Sequence, residues 1–173
     1  MSFTTLSNEK KWYVGYTYPK YEKRINSRIQ SLGLETYLPI RKELRQWSDR
    51  KKNIEVPLFP NYIFIKSKLN DLSELLQIEG LMNFISFAKQ YATVKEDEIK
   101  AIKDLLSKSS QEDEWCIGPI PPKKGTKVEI IKGPFQGLTG ELYDTSGKYK
   151  FFVRIDSLGQ GITLEIPTDY LKY

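Results

Sequence analysis

The fold is decided by the stretch RKELRQWSDRKKNIEVPLFPNYIFIK, residues 41–66. Its first half is basic and carries six lysines and arginines against two acidic residues. Its second half, residues 57–65, is almost uncharged and rich in aromatic and β-branched side chains, which is typical of a buried strand. Pro57 and Pro60 place the paired part of this strand at 62–65, because proline lacks the N–H that a central strand donates. A basic arm that runs directly into a core strand predicts a β-hairpin whose tip reaches toward a polyanion.

The length and the charge distribution limit the class of protein. The 173 residues allow one medium domain or two small ones. Residues 1–106 carry a net charge of +5, residues 107–122 carry −2, and residues 123–173 carry +2. The overall charge of +5 allows nucleic-acid binding without requiring it.

The residue types exclude most catalytic chemistry. The chain has no histidine and a single cysteine, Cys116, so it has no intrachain disulfide, no histidine-based triad and none of the usual zinc sites. It also lacks a glycine loop for phosphate and a calcium-loop spacing. We therefore predict no enzyme activity, no metal and no cofactor. No signal peptide or membrane span is recognisable, so a cytoplasmic protein is expected.

The first hundred residues alternate between strands and helices. Residues 11–18 predict a strand with Trp12, Val14, Tyr16 and Tyr18 on one face. A helix from Pro19 to about Leu32 follows, with Gly33 as its stop. Its predicted core stripe is Tyr21, Ile25, Ile29 and Leu32. Strands at 34–40, 62–65 and 84–87 and helices at 71–78 and 93–108 complete the order β-α-β-β-α-β-α. This order predicts an α+β fold, an antiparallel sheet with packed helices.

The rest of the chain predicts a linker and a small β domain. Residues 108–122 are polar, then acidic, then rich in proline and glycine, although Trp115 and Ile117 are unusual in a free linker and are expected to dock on one domain. From residue 123 onward, short strands alternate with glycine turns, which indicates a small closed barrel. The predicted domains are 9–107 and 123–173, joined by the linker 108–122.

Both halves resemble the NusG family. The segments KWYVGYTYPKYEKRINSRI (11–29), VPLFPNYIFIK (56–66) and IEGLMNFISF (78–87) resemble the NusG N-terminal domain, with Asn61 in place of the usual glycine. The segment KKGTKVEIIKGPFQGLTGEL (123–142) resembles a KOW motif, a small SH3-like barrel. Its motif residues are Gly133, Pro134, Phe135, Gly137 and Gly140. The resemblance covers nearly the whole chain, in the order that the family has.

The basic segment LRQWSDRKK (44–52) is similar to the UpxY-type NusG paralogues, which are antiterminators of surface-polysaccharide operons. General NusG usually has a longer and more acidic insertion here, so the resemblance favours a specialised paralogue. Two alternatives stay open. One is a general NusG elongation factor, and the other is an RNA-binding KOW protein of the ribosomal type.

The resemblance implies that the N-terminal domain binds RNA polymerase, at the clamp helices of the β′ subunit and at the β subunit, and keeps the clamp closed. The protein is expected to be a monomer. We expect Tyr13 and Tyr62 to be exposed, because a phenol hydroxyl favours contact with water. The predicted apolar contact patch comprises Trp12, Tyr13, Phe59, Pro60, Tyr62, Phe64, Phe84 and Phe87.

The basic residues would then face the non-template DNA strand or the nascent RNA. For Trp47, stacking on an unpaired base and packing against the sheet edge are both open. The predicted nucleic-acid contacts are Lys20, Lys23, Arg24 and Arg28 on the helix, and Arg41, Lys42, Arg45, Trp47, Arg50, Lys51 and Lys52 on the hairpin.

The family also implies a partner for the KOW domain, either ribosomal protein S10 or Rho. Of the motif residues, Phe135 is the candidate contact, while the glycines and the proline form the turn. The KOW segment shows no helical periodicity, so we expect a constitutive barrel.

Overall fold

The computed structural model describes residues 9–47, 49–109, 115–121, 125–145 and 148–173. The helices are α1 (Glu22–Ser31), α2 (Leu72–Leu75) and α3 (Glu96–Lys108). The strands are β1 (Lys11–Thr17), β2 (Glu35–Tyr37), β3 (Ile40–Gln46), β4 (Lys51–Pro57), β5 (Tyr62–Ser67), β6 (Leu81–Phe84), β7 (Ser86–Phe87), β8 (Gln90–Tyr91), β9 (Thr93–Val94), β10 (Trp115–Pro119), β11 (Thr126–Ile130), β12 (Thr139–Thr145), β13 (Lys148–Ile155), β14 (Gln160–Glu165) and β15 (Leu171–Lys172).

The contacts divide the chain into two compact units. The first contains the described residues of Met1–Arg45 and Asn53–Lys95, and the second contains those of Gln46–Lys52 and Glu96–Tyr173. This division groups α3 with the C-terminal sheet, whereas the sequence places the end of the first domain at residue 107. The predicted domain boundaries stay a prediction. The predicted α+β class with antiparallel sheets is confirmed.

The first unit is built on a sheet in the order β2-β5-β1-β6, in which β9 also pairs with β1. Strand β1 pairs antiparallel with β5, from Lys11 opposite Ser67 to Tyr16 opposite Tyr62. Side chains alternate along β1 from Trp12 to Tyr16, as predicted, but the prediction that Tyr18 continues this face is wrong, because the strand ends at Thr17 after a register shift against β6. Its Tyr13 lies in a core that also contains Ile25, Ile29, Leu38, Ile63, Ile65, Leu72, Leu75, Leu81 and Phe84.

Helix α1 is shorter than predicted at both ends. It begins at Glu22 and not at Pro19, and it ends at Ser31. Gly33 has a left-handed backbone with a φ of 74°, and its N–H donates to the Gln30 carbonyl oxygen, which confirms it as the helix stop. The prediction that Leu32 is a core residue is wrong: it lies beyond the last helical turn and is 50% exposed. The predicted helix at 71–78 is reduced to α2.

The basic segment forms the predicted β-hairpin, in which β3 pairs with β4. At its tip, the Trp47 N–H donates to the Arg50 carbonyl oxygen at 2.8 Å. At its base, the Leu58 N–H donates to the Pro39 carbonyl oxygen at 2.8 Å. The charged residues of the hairpin therefore lie on an ordered two-stranded ribbon.

The residue that replaces the usual glycine of the family adopts a conformation that favours glycine. Asn61 has a φ of 68°, and asparagine is one of the few other residues that visit this region readily. Its N–H donates to the carboxylate of the buried Glu22 at 2.9 Å, and its carbonyl oxygen accepts from the Thr17 N–H at 2.8 Å. The turn before β5 is thus fixed to α1 and to the end of β1.

The second unit contains a sheet in the order β10-β14-β13-β12-β11-β15, in which the paired strands are antiparallel. Strand β10 lies inside the predicted linker and pairs with β14, from Trp115 opposite Leu164 to Pro119 opposite Gln160. The expectation that residues 115 and 117 dock on a domain is therefore confirmed, and residues 108–122 are not a free linker throughout.

The KOW turn has the predicted glycine chemistry. Gly133 and Gly137 have φ values of 81° and 86°. A Cβ on Gly140 would lie 2.5 Å from the Phe151 ring, so this position needs a glycine for close approach. The prediction that Phe135 is a surface contact is wrong, because its side chain is 5% exposed and packs inside the unit.

Candidate functional site

Most of the predicted apolar patch lies in the core. Five of its eight side chains are at most 4% exposed, namely Trp12, Tyr13, Phe59, Phe64 and Phe84. The prediction that Tyr13 is exposed is wrong, since its ring packs edge-on against Phe84 and Tyr91, each at 6.4 Å between centroids. Pro60 is exposed, Tyr62 is half-buried and Phe87 is 64% exposed. Only these three of the predicted residues offer surface to a partner in this structure.

Two further tyrosines extend the surface around Tyr62. Tyr16 lies opposite Tyr62 in the strand register, and their rings are 5.5 Å apart. Tyr37 is half-buried and stacks on Phe64 at 6.3 Å, and burial raises the pKa of its phenol. Both residues were absent from the predicted patch, although alternation along β1 already placed Tyr16 on the face of Trp12.

Phe87 lies at the end of a small projecting hairpin formed by β7 and β8. The two turn residues, Ala88 and Lys89, have left-handed φ values of 48° and 65°. Such a turn matches the twist of the two strands but usually uses asparagine and glycine. The ring of Tyr91 packs against Phe84 at 6.2 Å and anchors this hairpin to the first unit.

The basic row on α1 is exposed, as predicted, but two of its members have acidic partners. Lys23 pairs with Glu55 at 3.1 Å and Arg24 pairs with Glu79 at 2.9 Å. All four side chains are at least half exposed, and such pairs contribute little to stability. Arg28 completes the row on α1, whereas the prediction that Lys20 lies on the helix is wrong, because Lys20 precedes its first residue and has a left-handed φ of 69°.

The hairpin formed by β3 and β4 carries the second basic group. Glu43 pairs with both Arg41 and Arg45, while the remaining cations of the hairpin are exposed, namely Lys42, Arg50, Lys51 and Lys52. Trp47 is 55% exposed at the tip, so its ring is accessible to a ligand. The hairpin thus carries an exposed indole and several exposed cations.

An ion pair that the sequence did not reveal lies in the second unit. Arg154 donates from Nε to Glu141 Oε1 at 3.0 Å and from Nη2 to Oε2 at 2.8 Å. The Tyr143 hydroxyl and the Gly125 N–H also bond to Glu141. The hydrogen bonds from Arg154 are the main cause that lowers the pKa of Glu141 to about 2. This network joins β12 to β13 and has a structural role.

Among the residues that the structure describes, no cluster of potential metal ligands was found. In the same part of the chain, none of the helices is both long and apolar enough to cross a membrane.

Comparisons with known proteins agree with these features. The family model described as "NusG: Transcription termination factor nusG" matches residues 10–103. The chain is 22% identical to the transcription termination/antitermination protein NusG of Borreliella burgdorferi, over 93% of this chain and 97% of the relative. It is 25% identical to the protein of the same name from Bacillus subtilis, over 91% and 96% of the two chains. These named proteins are transcription factors and not enzymes, in agreement with the prediction.

A solved structure of Thermotoga maritima NusG has a similar fold, with a TM-score of 0.52 and 24% identity over 95% of this chain and 97% of that chain. The family model covers more than half of the chain and includes α1, the basic hairpin and the strand β5 that carries Tyr62. On this evidence, the chain belongs to the NusG family.

Proposed function

We propose that this protein is a transcription elongation and antitermination factor that binds RNA polymerase across its clamp and suppresses pausing or termination. Membership of the NusG family supports the general role, and the relatives named above are termination/antitermination proteins. The mechanism is one of binding, in which the protein bridges the polymerase cleft and keeps the clamp closed.

The observation that carries this proposal is the pair of half-buried tyrosines, Tyr16 and Tyr62, which lie opposite each other on the central strands with their rings 5.5 Å apart. Tyrosine is enriched at protein interfaces because its ring supplies apolar area and its hydroxyl tolerates water. Pro60 precedes Tyr62 by two residues, and Trp12 and Phe64 lie on the same face of the two strands and are buried. We propose this surface as the contact with the β′ clamp helices, and the projecting Phe87 as a second contact with polymerase.

The two basic groups are proposed to bind nucleic acid, either the non-template strand or the nascent RNA. Lysine and arginine contacts to phosphate supply affinity and salt dependence without selecting a sequence. Trp47 at the tip of the hairpin would stack on an unpaired base. The exposure of this indole among four cations supports the role.

The finer assignments follow from the resemblance. We propose a specialised factor for surface-polysaccharide operons, on the basis of the segment LRQWSDRKK, with a general NusG role as the alternative. We also propose that the KOW domain recruits ribosomal protein S10 or Rho. Because Phe135 is buried, the contact would use exposed residues of this domain such as Pro134.

The test is a paused-transcription assay with purified bacterial RNA polymerase. Wild type is expected to shorten pauses, and Tyr62→Ala is expected to abolish the effect while its thermal unfolding shows a retained fold. Tyr173→Ala serves as the control, because Tyr173 is 73% exposed and far along the chain from the proposed surface. A protein that neither binds polymerase nor changes pausing would favour the ribosomal type of RNA-binding KOW protein.

A charge-reversed variant of Arg50, Lys51 and Lys52 tests the hairpin separately. If it retains pause suppression on a generic template but loses preference among templates, the hairpin selects the target and the specialised role is supported. If it behaves as wild type on every template, the proposed role of the hairpin is wrong.

A further inference from the structure

An exposed ring ladder that the sequence did not reveal lies where β1 leads into α1. Tyr18 is 53% exposed, and its ring meets the Tyr21 ring at 6.1 Å in an edge-to-face arrangement. On the Tyr21 ring lies the Arg24 guanidinium, with its Cζ 5.7 Å from the centroid. These three side chains, Tyr18, Tyr21 and Arg24, are called the ring ladder below. About half of the Tyr18 surface, at one end of this ladder, is exposed to solvent.

The backbone under this ladder is held by several hydrogen bonds. The Tyr18 N–H donates to the Gly80 carbonyl oxygen at 2.9 Å. The Tyr18 carbonyl oxygen accepts from the Tyr21 N–H at 3.2 Å and from the Thr17 hydroxyl at 3.1 Å. An exposed aromatic ring on a fixed backbone loses little conformational entropy when a ligand stacks on it.

The packing of Tyr21 depends on a glycine. Gly80 has a φ of 96°, and a Cβ at this position would lie 2.2 Å from Cδ1 of Tyr21. The ring of Tyr21 therefore lies directly on the Gly80 backbone. This contact fixes the side chain on which both Tyr18 and Arg24 rest.

Cations lie close to the ladder along the chain. Lys20 follows Tyr18 by two residues and has an exposed side chain on a left-handed backbone, a conformation that is unfavourable for lysine. Arg24, the cation of the ladder, lines a groove of about 500 Å³ together with Arg28. Glu74 and Glu79 line the same groove, and Glu79 is the partner of Arg24, so the groove itself carries both signs of charge.

We propose that Tyr18 is a stacking platform for one unpaired base of a single-stranded nucleic acid, whose phosphates contact Lys20 and Arg28. This inference deepens the proposed function and rests on its nucleic-acid-binding part. An aromatic face beside a basic row suits a single strand, because the bases of a duplex are not available for stacking on a side chain. Strain at an exposed lysine next to the ring is typical of a ligand-binding segment.

The experiment measures the affinity of the full chain for four short probes by fluorescence anisotropy: oligothymidylate, oligouridylate, an abasic strand of the same length, and a duplex. Wild type is expected to bind the base-containing strands at least about fivefold more tightly than the abasic strand. Because Trp47 is also proposed to stack on a base, Tyr18→Leu is compared in a Trp47→Leu background, where it is expected to remove most of this difference while leaving the affinity for the abasic strand unchanged. Tyr173→Leu is the matched control and should behave as wild type.

The variants and probes distinguish the stacking role of Tyr18 from nucleic-acid binding in general. Arg28→Gln should weaken binding to all strands and lower the salt dependence, while it keeps the preference for strands with bases. If Tyr18→Leu keeps that preference, or if the duplex binds as well as the single strands, the platform is wrong and nucleic-acid binding stands. If wild type binds none of the probes but still binds polymerase, the nucleic-acid part fails and the clamp contact stands. Comparison of thymidylate with uridylate distinguishes DNA from RNA as the source of the base.

Discussion

The Glu22 carboxylate accepts a hydrogen bond from the backbone N–H of Asn61, at 2.9 Å. Glu22 is 5% exposed although it stands in the first turn of a helix. The bond joins the start of α1 to the turn before β5, at the position where the family usually has glycine. This contact joins a buried carboxylate, that of Glu22, to a residue with a left-handed backbone, Asn61.

Loss of this carboxylate should destabilise the first unit. We expect Glu22→Ala to lower the free energy of unfolding by about 1–3 kcal/mol, because it leaves the partly buried N–H of Asn61 without this acceptor. Glu22→Gln keeps an acceptor oxygen and should cost less. Urea unfolding measures both, with the exposed Glu74→Ala as control. A loss for Glu22→Ala no larger than that of the control would contradict the role assigned to this bond.

A substitution in the turn between β7 and β8 should increase the stability of the protein. Lys89 has a φ of 65°, which favours glycine, so Lys89→Gly is expected to stabilise the protein by about 0.5–1 kcal/mol. The neighbouring Gln90→Gly is the matched control, because β8 is extended there and glycine should destabilise it by a similar amount. Thermal unfolding of the two variants should therefore shift in opposite directions, and equal shifts would rule out strain at the turn.

The ion pair of Glu141 and Arg154 predicts a loss of stability in acid. The pKa of Glu141 falls from 4.5 to about 2 on folding, so its contribution is complete above about pH 4.5 and disappears as the pH falls toward 2. Glu141→Gln should remove this part of the pH dependence. Urea unfolding at about pH 6 and about pH 3 compares the two proteins. If the free energy of unfolding changes by the same amount between the two pH values in wild type and in the variant, Glu141 does not titrate as the structure implies.

Lys20 should show opposite effects on stability and binding. Lys20→Gly relieves a left-handed lysine and should raise the free energy of unfolding by about 0.5–1 kcal/mol. The same change removes a proposed phosphate contact and should reduce the slope of log affinity against log salt by about 0.7 for a single strand. Lys10→Gly, outside the row, is the control. A variant that is more stable and binds with an unchanged salt slope would leave Lys20 without a role in binding.

The sequence was most informative about features that depend on backbone conformation, such as strand faces, turns and the end of a helix. Alternation assigned the two faces of β1, the glycine signals located the helix stop at Gly33 and the KOW turn, and the charge contrast located the hairpin. The unusual Asn61 also fell where a left-handed residue is needed. These features depend on few neighbouring residues, so a single chain is enough to predict them.

The sequence was less informative about which aromatic side chains are exposed. Alternation gives the face of a strand but not what covers it, so five of the eight predicted contact residues proved to be buried. The pair of Tyr16 and Tyr62, the packing of Tyr21 on Gly80 and the ion pair of Glu141 with Arg154 depend on contacts between residues that are separated in the sequence. Such contacts follow from strand register and helix packing, which a pattern of residue types does not fix.

Strand β10 has a practical consequence for any study of the C-terminal domain alone. A fragment cut at residue 123, where the sequence places the domain boundary, would lose β10 and leave one side of β14 with unsatisfied backbone donors and acceptors. The exposed edge would hold Ile162 and Leu164, which are buried in the intact unit. Such an edge is a template for intermolecular pairing and aggregation. A fragment intended to stay soluble should therefore begin before Trp115.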